Sequence, residues 1–413
     1  MSKLDDLINK FCPDGVEFKR LGECIYSLNT GLNPRQFFQL NTDDAKNYYV
    51  TIREIINGKI VFSKSTDRIN DEAMLLCNNR SNLEKGDVLF SGTGTIGRTC
   101  VLKETPKNWN IKEGVYTIKP NQNVILSKYL SYCLQSTEVR IAYMSKSAGG
   151  TVQSVPMKEM KNLEIPVPPL EIQNEIVRIL DKFTELEEEL EEELVARRKQ
   201  YEYYRDSLLT FDDETILKPL GDFATITRGG SFQKKDFVES GLPCIHYGQM
   251  YTHFRTYTDK TLTFLNEDVF NKSRIAQPND IVMAVTSENV EDVCSCVAWI
   301  GTEPIAVSGH TAIIHHNQNA KYLAYYFQTA AFFKQKQKLA HGTKVIEVTP
   351  DKLSDIKIPI PSLEKQKEIA DMLDRFEALC NDITSGLPAE IEARHKQYEY
   401  YRDKLLTFKR KSA

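Results

Sequence analysis

Residues 196–211 read ARRKQYEYYRDSLLTF, and residues 393–408 read ARHKQYEYYRDKLLTF. The two stretches differ only at Arg198/His395 and Ser207/Lys404. Upstream, 165–183 (IPVPPLEIQNEIVRILDKF) aligns with 358–376 (IPIPSLEKQKEIADMLDRF) at an offset of 193. The same offset pairs Lys128-Tyr129-Leu130 with Lys321-Tyr322-Leu323, Gly149 with Gly342, and Asp87-Val88 with Asp280-Ile281. The chain also restarts alike at Leu21-Gly22-Glu23 and Leu220-Gly221-Asp222. Self-similarity of this kind marks a tandem duplication. The order it gives is variable domain (1–164), repeated helix (165–211), variable domain (212–357), repeated helix (358–413).

The repeated element reads as a helix with a coiled-coil seam. Ile172, Ile176, Ile179, Phe183, Leu186 and Leu190 follow a 4-3-4-3-4 spacing, and after Leu194 the seam resumes at Tyr201, Tyr204 and Leu208. The second copy offers Ile369, Met372, Phe376, Leu379 and Ile383, then Ile391, Tyr398, Tyr401 and Leu405. Pro168 and Pro169 suit a helix start. Ser385-Gly386-Leu387-Pro388 predicts a break or kink in the second copy. Between the helices, short runs such as 87–90, 115–118, 280–285 and 311–314 read as strands separated by Gly-, Asn- and Ser-rich turns. One helix follows in each domain, from Leu126 to about Ser145 and from Lys321 to about Leu339. The fold class expected is α+β: two pseudo-repeated mixed α/β domains joined and spaced by two long antiparallel coiled-coil helices.

Composition narrows the function classes. The net charge is −4, but seven glutamates crowd residues 185–193, and without them it would be +3. Residues 12–160 carry +4, and residues 216–355 are neutral and hold six of the seven histidines. This distribution permits nucleic-acid binding. No apolar run approaches the roughly 18 residues of a membrane span, and Met1–Asp6 has no apolar signal core, so no membrane association and a cytoplasmic location are expected. Nine scattered cysteines read as free thiols. Gly92-Thr93-Gly94-Thr95-Ile96-Gly97-Arg98-Thr99 imitates a phosphate-binding loop, yet Thr99–Leu102 reads as a strand where such a loop needs a helix. A tight turn between strands is expected there. His310, His315 and His316 lack the companions of a metal or catalytic site, and no amino-methyltransferase motif occurs, so neither cofactor, metal nor catalytic residue is expected.

The junctions Ile165-Pro166-Val167-Pro168-Pro169-Leu170-Glu171-Ile172-Gln173 and Ile358-Pro359-Ile360-Pro361-Ser362-Leu363-Glu364-Lys365-Gln366, the lead-in Cys12-Pro13-Asp14-Gly15-Val16-Glu17-Phe18 and the Leu-Gly-Glu/Asp restarts resemble those of the specificity subunits of type I restriction–modification systems. The resemblance covers the whole chain and is weakest inside the variable domains. It implies that each variable domain is a target-recognition domain reading one half of a bipartite site in double-stranded DNA. It also implies that two methyltransferase (modification) subunits dock on the helical frame and that restriction/translocase subunits complete the complex, all catalysis residing in those partners. Base reading needs polar side chains at groove edges, with Lys and Arg on phosphates. The candidates in the first domain are Arg68, Asn78, Arg80, Thr93, Thr95, Arg98, Lys146, Ser147, Thr151 and Gln153. In the second they are Arg228, Gln233, Lys234, His246, Gln249, Ser287, Asn289, His341, Thr343 and Lys344. Three tyrosines within four positions spread over different helix faces, so Tyr203 and Tyr400 are expected to point away from the seam and to bind partners. A stand-alone bipartite DNA-binding protein is the competing reading; it would need no partner-docking helices.

Overall fold

The computed structural model describes residues 3–150, 152–211, 216–381 and 386–411. The chain divides into two compact units, residues 1–189 with 391–413, and residues 190–390. Each unit therefore combines one variable domain with parts of both repeated helices. The central helix runs Leu170–Leu208, and the second copy is two helices, Leu363–Asn381 and Leu387–Leu406. The expected break thus occurs, although Ile383 and Ser385 lie outside the described residues.

The first unit is built on a four-stranded antiparallel sheet ordered Ile25–Thr30, Val115–Pro120, Val88–Ser91, Thr99–Val101. The second has the same four strands in the same order, Ala224–Arg228, Thr311–His316, Ile281–Ala284, Cys296–Trp299, with Tyr257–Thr258 added in parallel at the edge. These central strands are buried on both faces, which explains their unbroken apolar runs. The units diverge beyond this sheet. The first adds three strands, Arg68–Ile69, Asn47–Val50 and Trp109–Ile111. The second adds five, from Phe237–Val238 to Arg274–Ala276. No helix among the described residues is long and apolar enough to cross a membrane.

The repeated motifs now acquire physical meaning. Gln173 is fully buried; its Oε1 accepts from Leu126 N at 2.9 Å, and its Nε2 donates to Val124 O and Pro168 O, both at 2.8 Å. Gln366 accepts from Asn319 N at 3.0 Å and donates to Pro361 O at 2.9 Å. The amide thereby satisfies a proline carbonyl before its own helix and backbone groups of the loop that leads into the helix after the sheet. Tyr129 and Tyr322 donate to Pro166 O and Pro359 O, and Tyr132 and Tyr325 donate to Asp181 and Asp374, both at 2.7 Å.

The helices run antiparallel within each unit. In the first, Phe183 stacks on Tyr401 at 5.3 Å while Glu187 meets His395 at 3.4 Å. In the second, Tyr204 stacks on Phe376 at 5.4 Å. The expected seam holds at Phe183, Tyr204, Phe376 and Tyr401 and fails at other positions. Leu180 and Leu373 are fully buried, whereas Leu186, Met372 and Leu379 are exposed, and nothing between Thr184 and Gln200 is buried. Each helix packs first against its globular domain, on the stripe Ile172, Ile176, Leu180 or Ile369, Leu373. The helix pairing uses a neighbouring face.

A second difference concerns the helix after the sheet. It is two helices in each unit, Ser127–Gln135 and Thr137–Met144, then Ala320–Tyr326 and Ala330–Leu339. Ser136 is extended (φ −63, ψ 148). The break turns the second N-terminus toward a repeated carboxylate. Asp403 accepts from Thr137 N at 3.0 Å, and Asp206 accepts from Ala330 N at 3.1 Å. Negative charge there offsets the helix dipole.

The C-terminal segment closes on the N-terminal lead-in. Val16 N donates to Lys409 O at 2.8 Å, and Lys411 N donates to Val16 O at 2.9 Å. Arg410 reaches Glu164 at 2.7 Å and lies over the Phe18 ring at 4.4 Å. Gly15, at φ +112, is required here, because a Cβ would stand 2.6 Å from Lys409 O. A chain opened near Asp212, with its old ends joined by a short flexible linker, is expected to melt within a few degrees of the original. Loop closure of this kind costs little. Thermal denaturation followed by circular dichroism checks this; a non-cooperative melt would contradict it.

Candidate nucleic-acid interface

Two loops lie side by side at the same end of the central sheet in each unit. In the first, residues 92–98 connect Val88–Ser91 to Thr99–Val101, and residues 145–155 follow the helix Thr137–Met144. The loops are joined by Val155 N to Gly92 O and Gly94 N to Gln153 O, both at 2.9 Å. The second loop closes on itself through paired bonds between Ala148 and Ser154 at 2.8 Å. The same lattice recurs 193 residues on: Val348 N to Val285 O at 3.0 Å, and His341 paired with Glu347 at 3.0 and 2.8 Å. Gly149 and Gly342 sit at φ +127 and +114, where a Cβ would lie 2.3 Å from Val152 O and 1.9 Å from Val345 O. The tight turn pushes Val152 and Val345 outward, 59% and 58% exposed.

The resulting rim collects many of the residues expected to touch DNA. Thr93, Thr95, Arg98, Lys146, Ser147 and Gln153 line it in the first unit; Thr151 lies outside the described residues. Arg98 is exposed but its guanidinium donates to Ile52 O and Ile55 O at 2.9 and 3.2 Å, fixing its direction. Ser287, Asn289, His341, Thr343 and Lys344 line the rim in the second unit. Arg228 joins them, donating to Glu347 at 2.7 Å and Gly309 O at 3.2 Å.

The remaining candidates lie elsewhere in the fold. Arg68 covers the Tyr48 ring at 4.4 Å on the three-stranded sheet. Asn78 and Arg80 are on the helix Asp71–Ser81, where Asn78 accepts from Asn110 at 2.7 Å. Gln233 and Lys234 are exposed at a short turn of the five-stranded layer. His246 is buried between Tyr247 and Phe237 and accepts from Gly248 N at 3.3 Å; burial, then Lys234 and His310, hold its ring below the usual histidine range. Gln249 accepts from His246 N at 2.9 Å and donates to Thr263 at 3.2 Å.

Sequence reasoning passed over several rim residues. Val152 and Val345 fall in register once the 193 offset, already marked by Gly149 and Gly342, is carried through the loops. Asn57-Gly58 is the turn signal of a two-residue hairpin. It forms one, joining Ile55–Ile56 to Lys59–Ile60, with Asn57 and Gly58 at φ 47 and 72. That hairpin, Thr95, Arg98 and Arg140 line a cleft of about 340 Å³. In the second unit Tyr251 donates to Thr286 O at 2.9 Å, and His310 meets Thr286 Oγ1 at 3.1 Å, with Tyr247 beside it at 4.8 Å. No local sequence pattern announced this aromatic cluster.

A rim built twice on one scaffold, with different side chains each time, suits two readings of one kind of ligand. Comparison with known proteins gives the family. Residues 13–196 and 214–393 match the type I restriction modification DNA specificity domain. The chain belongs to that family. It is 34% identical over 299 residues to the EcoR124I/EcoR124II specificity subunit of Escherichia coli, covering 70% of this chain and 72% of the relative. It is 25% identical over 395 residues to the MjaVIII specificity subunit of Methanocaldococcus jannaschii, covering 89% and 87%. A chain from a structure describing complex assembly and conformational transition of the type I R-M system has the same fold, with a TM-score of 0.60 at 19% identity, over 96% of this chain and 98% of that one. The family match falls in two blocks, one per unit, in line with the duplication.

Proposed function

We propose that this chain is the DNA-reading subunit of a type I restriction–modification complex. Each rim reads one half of a bipartite target, and the helical parts carry the catalytic partners. The recurrence of the two-loop rim at the 193 offset, with unlike side chains, is the observation that carries this reading. Thr, Asn, Gln and Arg are side chain types that can discriminate base edges, and in this reading Lys146 and Lys344 fix register on phosphates.

Two modification subunits are the expected partners, because a second feature also recurs. A cleft of about 640 Å³ in the first unit includes Ser136, Thr137, Asp403 and Thr407, and one of about 870 Å³ in the second includes the equivalent Thr329, Ala330, Asp206 and Thr210. Equivalent surfaces suit two copies of one partner. Tyr203 borders the second cleft and is 70% exposed; Tyr400 is 61% exposed. Methyl transfer and ATP-driven translocation belong to the partners in this reading, including the restriction subunits.

The test is reconstitution. The purified chain is expected neither to methylate DNA nor to hydrolyse ATP, while the chain with its modification partner methylates one bipartite motif. Methyl transfer by the chain alone would overturn the assignment. Sequence-specific binding with no affinity for a modification subunit would favour a stand-alone DNA-binding protein.

A further inference from the structure

Beneath the inter-strand loop of each unit stands one buried side chain, supplied from the second helix at equivalent positions. In the first unit it is Tyr143, 1% exposed, packed edge-on against Phe90 at 5.3 Å. Its hydroxyl is buried with no hydrogen-bond partner among the described residues and lies directly under Gly97; a Cβ there would stand 2.4 Å from it. Gly97 is at φ +100, and only a residue without a Cβ fits over the tyrosine here. In the second unit, 193 residues on, the position is Lys336, 5% exposed. Its Nζ donates to Glu291 O at 2.7 Å and Val293 O at 2.6 Å, both in the corresponding loop.

A buried ammonium is costly unless its donors are satisfied. Burial lowers its affinity for the proton, while Glu291 and Asp292 nearby favour the charge. An apolar or tyrosine side chain would fill the space without that cost. What the lysine adds is a directed grip on two loop carbonyls, next to Cys294 at φ +67, a conformation that non-glycine residues rarely adopt. The Gly-rich loop 92–98 rests on a tyrosine, and the acidic loop 286–293, with Glu288, Glu291 and Asp292, is held by a lysine.

We propose that residues 143 and 336 are positioning residues for target specificity, each setting the height and shape of the loop above it, so that every half-site preference is written jointly in a loop and in the helix residue beneath. The inference rests on the reading of these loops as base-facing. Base contacts tolerate little displacement, so a loop shifted by a fraction of an ångström changes which bases are accepted.

The experiment uses the chain assembled with its modification subunits, acting on a randomised DNA library, with methylated positions read by sequencing. Lys336→Met is expected to relax base preference about tenfold at one or more positions of one half-site and leave the other half unchanged. Lys336→Gln, which supplies N–H donors for the loop carbonyls without the charge, should restore most of the preference. Tyr143→Phe removes only an oxygen that has no hydrogen bond, so folding is retained, and a two- to fivefold change confined to the opposite half-site is expected. Ser287→Ala with Asn289→Ala serves as the loop control. If the control alters a half-site while Lys336→Met and Tyr143→Phe leave the motif intact, the positioning role is refuted. Uniform loss at both half-sites, tracking a lowered melting temperature, also refutes it. If the loop control itself changes nothing, the base-facing reading of the loops is what fails.

Discussion

Replacing Tyr203 and Tyr400 by alanine is expected to weaken binding of the modification subunit about thirtyfold at each site while leaving both units folded. The two rings are the most exposed of their aromatic groups, at 70% and 61%. Tyr201 and Tyr398 in the same repeats are 7% and 4% exposed, and Tyr204 and Tyr401 stack on Phe376 and Phe183. Tyr203 and Tyr400 meet Tyr204 and Tyr401 edge-on, at 5.6 and 5.3 Å, and Lys404 lies over the Tyr400 ring at 5.9 Å. Folding therefore gains little from them, and surface substitutions of this kind change stability by less than about 0.5 kcal/mol. A tyrosine that becomes buried in an interface can contribute about 2 kcal/mol or more, which is the thirtyfold. Calorimetric titration of the purified modification subunit into wild-type and double-variant chains measures the effect, with melting temperature as the folding control. Equal affinities would remove these residues from the interface.

The duplication, the helix junctions and the central strands could be read directly, because each rests on a local pattern strong enough to stand alone. The junctions with Gln173 and Gln366 were legible as a repeat, although the loop groups that the glutamines serve lie 47 to 49 residues away. The helix breaks at Ser136 and at Phe327–Thr329 could not be read that way. Apolar residues continue on both sides of each, from Tyr129, Leu130 and Leu134 to Val139 and Tyr143. The partner that meets each new helix start is Asp403 or Asp206, more than a hundred residues away in sequence. The heptad reading erred at Leu186, Met372 and Leu379 for a related reason: a helix serving both a domain and a partner helix has two apolar faces, and a single seam describes one. Within the rims, the Gly149 and Gly342 match was legible as a shared turn. The tyrosine and lysine beneath the loops looked like ordinary helix positions, because their role depends on a loop that approaches them only in three dimensions.

That shared turn supports the sharpest test of the rim. Gly149→Val, in the complex with the modification subunits, is expected to lower affinity for the methylated motif ten- to a hundredfold, and Gly342→Val to do the same through the other half-site. At φ +127 and +114 a branched side chain is strained by about 1–3 kcal/mol, and its Cβ would overlap Val152 O or Val345 O at 2.3 and 1.9 Å. The paired bonds between Ala148 and Ser154, or His341 and Glu347, would have to open, and the residues they hold at the rim would move. Gly150 supplies the control within the same loop. It is not in the left-handed region, and a Cβ there meets nothing within 4 Å, so Gly150→Ala should bind as the wild type does. Filter-binding titrations with cognate DNA and with DNA scrambled in one half-site separate the two rims. Each valine variant should lose discrimination at one half only. If Gly149→Val bound cognate DNA as tightly as Gly150→Ala, the loop 145–155 would have no place in the DNA interface.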